Sequence, residues 1–158
     1  MSRYYEKTVP NVGDILVVKI TKISDNKGAY AESAEYPDLK IFILPTEINR
    51  RVVNVKKFFS PDKLYPTRVL FVDPVKHLVD VSYSKLNDKE KLEYLERFTI
   101  YQKIFRIAVD INTLYNNDGD TIFKNTVWHI FDNLCHESNE TVSNYYTSIL
   151  EDPYIFFK

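Results

Sequence analysis

The chain contains few of the residues on which several common kinds of site depend. Its 158 residues include one cysteine, three glycines and three histidines. Because a disulfide needs two cysteines, Cys135 closes no intrachain bridge, and a reducing compartment is expected. The longest purely aliphatic run, residues 15–18, is far too short to span a bilayer. With no signal-peptide pattern at the N-terminus, the sequence predicts a cytoplasmic protein that makes no membrane contact.

Patterns typical of catalysis and of cofactor binding are also missing. Gly13, Gly28 and Gly119 are scattered, whereas loops that cradle phosphates need grouped glycines. The three histidines lack the paired spacing of a metal-binding helix. Residues 118–120 read Asp-Gly-Asp, but Leu114 stands where a calcium loop needs its first carboxylate. The sequence therefore predicts a binding protein with no catalytic residue, no metal and no cofactor.

Apolar and charged residues occur in globular proportions but are unevenly distributed. Hydrophobic residues make up 44% of the chain and charged residues 27%, which excludes wholesale disorder. Residues 1–86 carry 14 basic and 10 acidic side chains, a net charge of +4, whereas residues 87–158 carry 7 and 12, a net charge of -5. A monomer with two small, differently charged domains is expected.

The first half of the sequence has the pattern of five short strands. The β-rich runs lie at residues 14–23, 28–32, 39–44, 66–72 and 77–83. Turn residues separate them, and a long insertion over residues 45–62 precedes the fourth run. Five short strands with a long insertion are typical of a small closed β-barrel of the OB type, predicted here for residues 1–86.

The second half has a helical period. Asn87 and Glu90 have the spacing of a capping box at the start of a helix. Apolar residues then recur at spacings of three and four, at Phe98, Tyr101, Ile104, Phe105, Ala108, Ile111 and Leu114, and again at Ile122, Phe123, Val127, Ile130, Phe131 and Leu134. A last helix is predicted over residues 140–150, with Val142, Tyr146, Ile149 and Leu150 facing inward. The fold class is therefore α+β, a barrel followed by a helical domain at residues 87–158.

The insertion carries a cluster of basic residues. Arg50, Arg51, Lys56 and Lys57 place four cations within eight residues. Three interpretations are open: contact with RNA phosphates, contact with an acidic protein surface, and a solvated loop.

Two aromatic residues of the predicted strands add to the RNA interpretation. OB barrels stack bases on exposed aromatic side chains, and Tyr30 and Phe42 are the candidates. Burial of both rings in the barrel core is the alternative.

Several segments together resemble one known family. They are Val12-Gly13-Asp14, Gly28-Ala29-Tyr30, Leu-Pro-Thr-Glu-Ile-Asn-Arg-Arg at 44–51 and Val-Asp-Pro-Val-Lys-His-Leu-Val-Asp-Val-Ser at 72–82, followed in the helices by residues 123–132 and Asp152-Pro153. In this order they resemble the alpha subunit of eukaryotic translation initiation factor 2. The resemblance implies an OB barrel of the ribosomal RNA-binding type followed by a helical domain.

Two departures from the family carry a functional hypothesis. In the family the basic loop presents a serine that stress-activated kinases phosphorylate to stop initiation, and the matching residue is Asn49, which has no hydroxyl. The family also continues into a further domain that attaches it to the gamma subunit. The chain thus resembles viral pseudosubstrates, and the leading hypothesis is a decoy that occupies the double-stranded-RNA-activated kinase.

The resemblance implies two sites for such a decoy. The pseudosubstrate loop would comprise Glu47, Ile48, Asn49, Arg50 and Arg51, and the kinase-docking segment Lys76, His77, Leu78, Val79 and Asp80. Leu78 and Val79 would supply apolar contact and Asp80 an acceptor for a kinase cation. Strand alternation turns one face inward, so the alternative for Val79 is the barrel core. His77 replaces a glycine of the family's turn, which could alter the hairpin.

The alternative function is an initiation factor that binds RNA or the ribosome. Its contacts with messenger and initiator tRNA would be made by Tyr30, Arg50, Arg51, Lys56 and Lys57. RNA binding would fall steeply with salt, whereas kinase docking would depend on Asp80.

Overall fold

The computed structural model describes residues 3–5, 7–24, 28–48, 59–60, 63–114, 127–134 and 137–152. Its strands are β1 (Ile15–Ser24), β2 (Gly28–Glu32), β3 (Lys40–Ile43), β4 (Leu64–Asp73) and β5 (Leu78–Ser82), with a 3₁₀ turn at Pro45–Glu47. Three helices follow: α1 (Asp88–Leu114), α2 (Val127–Leu134) and α3 (Asn139–Glu151). The chain forms two compact units, one of Lys7–Leu95 and one that combines Ser2–Glu6 with Glu96–Lys158. The predicted domain boundary after residue 86 stays a prediction.

The five strands close into a barrel in the order β1-β2-β3-β5-β4. The β3–β5 pair is parallel and the other four pairs are antiparallel. The predicted fold class, a five-stranded barrel followed by helices, is confirmed. The strand bounds agree within two residues, and β4 starts earlier than predicted because Leu64 and Tyr65 already pair with β1.

Aliphatic side chains from all five strands fill the barrel. The fully buried ones are Leu16, Val18, Ala29, Ile41, Ile43, Val69, Val79 and Val81. Gly28 allows two strands to approach closely, because a Cβ there would lie 2.1 Å from the carbonyl oxygen of Ile43. Its φ of 98° is also one that side-chain-bearing residues rarely adopt.

A buried polar network completes the hydrogen bonding of β1 beyond the end of β2. The amide of Val17 donates to the carboxylate of Glu35 at 3.0 Å, and its carbonyl accepts from the hydroxyl of Ser33 at 2.9 Å. The Ser33 hydroxyl also accepts from the Glu35 amide at 3.2 Å. Buried backbone groups without a strand partner are thus satisfied by side chains.

The predicted capping box at the start of α1 is present. The amide of Glu90 donates to the side-chain oxygen of Asn87 at 2.8 Å, and the Asn87 amide donates back to the Glu90 carboxylate at 3.5 Å. Ser138 caps α3 by accepting from the amide of Thr141 at 3.2 Å.

Aromatic rings dominate the core of the helical unit. Phe131 stacks on Tyr101 with 4.4 Å between ring centroids, and Tyr4 stacks on Phe105 at 4.3 Å. Trp128 is buried, and its indole N–H donates to the carbonyl of Arg3 at 3.0 Å.

Two predicted core positions of the helices are wrong. Leu114 is 79% exposed because it is the last residue of α1. Leu150 is 58% exposed, since Val142 and Ile149 lie two turns apart on the buried stripe and Leu150 is rotated about 100° from Ile149.

Within the described ranges, no helix combines the length and the apolar character needed to cross a membrane.

Candidate docking surface on the barrel

Four side chains form a row across the outer face of the barrel. Tyr30 of β2 pairs with Phe42 of β3, Phe42 pairs with Asp80 of β5, and Asp80 pairs with Phe71 of β4. The side chain of Tyr30 is 49% exposed and that of Phe71 is 56% exposed. The alternative that Tyr30 lies in the barrel core is therefore wrong, and the outer row presents aromatic surface to solvent.

A groove of about 530 Å³ runs along three side chains of this row, those of Tyr30, Phe42 and Asp80. Tyr30, Phe42 and Leu78 supply apolar surface, and their neighbours Glu32, Lys40 and Asp80 supply charge. The rings of Tyr30 and Phe42 are 5.2 Å apart between centroids and tilted by 52°. The groove thus offers an aromatic pair beside carboxylates, which suits a ligand with both apolar and polar groups.

The turn between β4 and β5 borders the groove. The carboxylate of Asp73 accepts from the amides of Val75 and Lys76, both at 3.0 Å, which closes the turn. His77 follows with a φ of 54°, in the left-handed region that glycine tolerates better. Its carbonyl accepts from the amide of Lys40 at 2.9 Å. The turn therefore has a backbone conformation that favours glycine, and His77 adopts it with backbone strain.

The five residues of the expected docking segment have different surroundings. Lys76 and Leu78 are exposed, and His77 and Asp80 are half-buried. Val79 is buried and belongs to the barrel core, as strand alternation requires. The segment can thus present every side chain except that of Val79 to a partner.

The start of the basic loop is attached to the end of β5. The carbonyl of Glu47 accepts from the amides of Tyr83 and Ser84, both at 2.9 Å. Ile48 is fully buried. The other expected loop contacts, Asn49, Arg50, Arg51, Lys56 and Lys57, lie outside the described residues.

The chain returns from the loop at an aromatic cluster. Phe59 is buried against Tyr65 and Tyr83, with edge-on contacts at 4.7 and 5.9 Å between ring centroids. The ammonium group of Lys91 lies 3.8 Å from the Tyr83 ring centre. Burial, together with the nearby Tyr65 and Asp88, raises the pKa of Tyr83 above 10.0. Both described ends of the loop are therefore held on the barrel.

No family model matches the chain, but individual proteins do. It is 28% identical over 135 residues to eukaryotic translation initiation factor 2 subunit 1 of Plasmodium berghei, a match that covers 85% of this chain and 41% of that protein. The intact alpha subunit of archaeal initiation factor 2 from Pyrococcus abyssi superimposes with a TM-score of 0.67 at 20% identity, over 87% of this chain and 57% of that one. A second archaeal alpha subunit, in the a/eIF2alpha-aDim2p-rRNA complex from Pyrococcus horikoshii, gives a TM-score of 0.65 at 23% identity, over 78% of this chain and 73% of that one.

The chain is similar in sequence and in fold to the initiation factor 2 alpha subunit. This confirms the resemblance seen in the sequence, and the archaeal structures confirm the barrel and helices. The chain spans about two fifths of the length of its Plasmodium relative. The activity and the partners of the whole relative can therefore only be proposed for this chain.

Sequence reasoning missed Phe71 in this chain. Tyr65, Thr67 and Val69 of β4 are buried, and strict alternation would place Phe71 inward with them. The register of the β4–β5 pair shifts between Val69 and Phe71, and this irregularity turns Phe71 to the outside. No residue type in the sequence marks the shift.

Metal binding finds no support in the described part of the chain. There, no three histidine, cysteine, aspartate or glutamate side chains are grouped so that they could hold a metal ion. What the described groove offers is instead noncovalent contact through rings and charges.

Proposed function

We propose that this protein is a non-phosphorylatable pseudosubstrate of a stress-activated kinase of the double-stranded-RNA-activated type. By occupying the kinase it would keep translation initiation running in the cytoplasm. The observation that carries the proposal is the position of β5. Its exposed Leu78 and half-exposed Asp80 lie on the outer groove, and the residues that follow β5 hold Glu47 at the start of the basic loop.

The strand supplies a spacer of defined length. From Leu78 to Tyr83 the backbone advances by about 17 Å at the usual rise of an extended chain. The barrel is closed and its core is packed, so this separation is expected to vary little. A docked kinase would contact Lys76 and His77 on the turn and Leu78 and Asp80 in the groove. The loop would then lie at a reproducible distance from these contacts. That arrangement suits a surface that delivers a loop to a catalytic cleft.

The loop itself would occupy the cleft without reacting. Its predicted residues are Glu47, Ile48, Asn49, Arg50 and Arg51, of which the fully buried Ile48 would not contact the cleft. Phosphoryl transfer needs a hydroxyl as nucleophile, and the amide of Asn49 offers none. The adjacent arginines retain the charge that a substrate loop would present. Inhibition would therefore be competitive with the authentic substrate.

A phosphorylation assay tests this proposal. Activated kinase, authentic initiation-factor substrate and increasing amounts of the protein are combined, and phosphate incorporation into the substrate is measured. Inhibition that rises with dose is expected, weakened by Asp80→Ala but not by Glu96→Ala, which removes an exposed carboxylate of α1. An absence of inhibition at large molar excess would overturn the proposal for that kinase.

RNA or ribosome binding is the second candidate, favoured by the pair of the exposed Tyr30 and the half-buried Phe42. One archaeal structure with this fold is a complex that includes rRNA. Stacked bases and the cations Arg50, Arg51, Lys56 and Lys57 would then supply the affinity. An oligonucleotide affinity that falls steeply with rising salt, and that Tyr30→Ala lowers, would support this function. Both candidates are binding functions that require no catalysis and no cofactor.

A further inference from the structure

A second groove, called here the helix groove, lies on the helical unit along one face of α1. Its volume is about 500 Å³, and it is lined by Tyr4 of the N-terminal segment and by residues of α1 from Thr99 to Asp110. The lining residues of α1 follow one another at spacings of three and four, so the groove runs along the helix axis for about 16 Å. That length accommodates an extended segment of about five residues.

The apolar part of the helix groove is held in place by the core of the helical unit. Tyr4 is buried, and its ring stacks on the half-buried Phe105 with 4.3 Å between ring centroids. Val109, one turn further along α1, is 36% exposed. The groove therefore presents a preformed apolar surface to a ligand.

Two cations lie beside this apolar surface. Lys103 and Arg106 are exposed and lie one turn apart on α1. Within the described chain, Arg106 takes part in no hydrogen bond or ion pair, not even with Asp110 one turn further along. The ammonium group of Lys103 lies 5.7 Å from the ring centre of Tyr146, near the outer limit of a cation–π contact. Both cations are therefore available to an anionic group.

The charge around the helix groove limits what these cations can bind. Among the described residues of the helical unit four are basic and seven are acidic, the acidic ones being Glu96, Asp110, Asp132, Glu137, Glu140, Glu151 and Asp152. The two basic residues outside the groove have partners: Arg97 donates to the carbonyl of Glu137, and the guanidinium of Arg3 lies 4.7 Å from the ring centre of Trp128. A polyanion such as RNA would meet this acidic surface, whereas a short segment with one or two carboxylates would meet the two cations.

We propose that the helix groove binds a short acidic segment of a partner protein, with its carboxylates on Lys103 and Arg106 and an apolar side chain beside Val109. Arginine can bind a carboxylate through two parallel hydrogen bonds, and lysine adds a further charge-assisted donor. Asp110 would repel a carboxylate at the other end of the segment, so the acidic residues are expected at one end alone. The inference goes beyond the proposed function, since the outer groove and the basic loop supply none of these residues.

Defined peptides test this proposal. Acetyl-Glu-Glu-Leu-Phe-Gly amide and the peptide of reversed sequence are titrated into the isotope-labelled full chain, and the backbone amide signals of α1 are followed by NMR. Saturable shifts of the signals from Thr99 to Asp110 are expected for at least one of the two peptides. Glutamine in place of both glutamates is expected to weaken binding about threefold or more. Two glutamate peptides that give no saturable shift, or a glutamine peptide that binds equally well, would overturn the proposal.

Substitutions inside and outside the helix groove locate the binding. Arg106→Gln and Val109→Ser are each expected to weaken binding of the glutamate peptide about threefold or more. A cation and an apolar residue three positions apart also occur at the exposed Lys89 and Leu92 of α1, outside this groove. Lys89→Gln and Leu92→Ser should therefore leave the affinity unchanged. Equal losses in the two pairs of variants would show unspecific attraction and would overturn the groove.

The Asp110→Asn variant tests which end of the groove receives the carboxylates. Acetyl-Glu-Leu-Phe-Glu amide, which is acidic at both ends, should bind the wild type poorly and this variant about threefold or more tightly. Equal affinity for the two proteins would contradict the assigned direction of the charge.

Two further measurements separate this inference from its alternatives. A short oligouridylate that binds more tightly than the glutamate peptide, and that Arg106→Gln releases, would assign the groove to nucleic acid and overturn the proposal. The peptide titrations need no kinase, so failure of the pseudosubstrate function would leave the inference standing. Arg106→Gln should inhibit the kinase as the wild type does, since its position lies outside the outer groove and the basic loop.

Discussion

The amide of Lys40 donates a hydrogen bond of 2.9 Å to the carbonyl of His77. This contact joins the turn between β4 and β5 to the first residue of β3, next to the groove. His77 keeps the contact with a φ of 54°, and its buried Nδ1 has no hydrogen-bond partner in the described part of the chain. Both features cost free energy, so the docking turn is held at some expense of stability.

Replacement of His77 by glycine is expected to stabilise the barrel. Glycine adopts a positive φ without a Cβ clash, and the variant removes the unpaired ring nitrogen as well. Part of this gain is offset by the greater freedom of glycine in the unfolded chain, which leaves about 1 kcal/mol. Urea unfolding followed by circular dichroism measures the change. His77→Ala keeps a Cβ at this φ, so a glycine variant no more stable than the alanine variant would contradict the strain argument.

The Ser33→Ala variant is expected to destabilise the fold by about 1 to 3 kcal/mol. The substitution removes the hydroxyl that donates to the Val17 carbonyl and accepts from the Glu35 amide. Two buried backbone groups would then each lose a hydrogen bond. The midpoint of thermal unfolding measures the loss, and Ser143→Ala on the exposed face of α3 is the matched control. Equal midpoints for the two variants would show that the network contributes little.

Alkaline pH is expected to weaken the fold through Tyr83. Burial raises the pKa of its phenol above 10.0, so the folded state retains a proton that the unfolded state loses. Above pH 10 the unfolded state therefore binds fewer protons, and the free energy of unfolding falls as pH rises toward the folded-state pKa. The urea concentration at the midpoint of unfolding is measured below and above pH 10. The difference between the two midpoints should be smaller in Tyr83→Phe than in the wild type. Tyr30→Phe, at an exposed position, serves as the control, and an identical divergence in all three proteins would rule out this role for Tyr83.

The barrel and the helix start were predictable because local chemistry determines them. Alternating aliphatic residues predicted the strands, and Asn87 with Glu90 predicted the cap of α1. The outer groove was only partly predictable. A period of two shows that successive side chains face opposite sides but does not say which side is the core, so the sequence left two alternatives for Tyr30.

Irregularities account for the rest of what the sequence could not predict. The register of β1 shifts between Ile20 and Lys22, and that of β4 shifts between Val69 and Phe71. Each shift depends on how a strand curves around the closed barrel, which is a property of the whole sheet. The Tyr30–Phe42–Asp80 neighbourhood likewise depends on the parallel pairing of β3 with β5, two strands far apart in sequence. Only the assembled barrel brings these side chains together.

If the protein is a pseudosubstrate, Asn49→Ser is expected to convert it into a substrate. If docking on the groove presents the loop to the cleft, a hydroxyl at residue 49 receives the phosphoryl group, and labelling should approach one phosphate per chain. Phosphopeptide mass spectrometry distinguishes this residue from the nearby Thr46. Wild type and Asn49→Ala should stay unlabelled, and addition of Asp80→Ala to the serine variant should slow its labelling. If the serine variant inhibits the kinase yet stays unlabelled, the loop does not reach the cleft, and inhibition by docking alone would replace the pseudosubstrate mechanism.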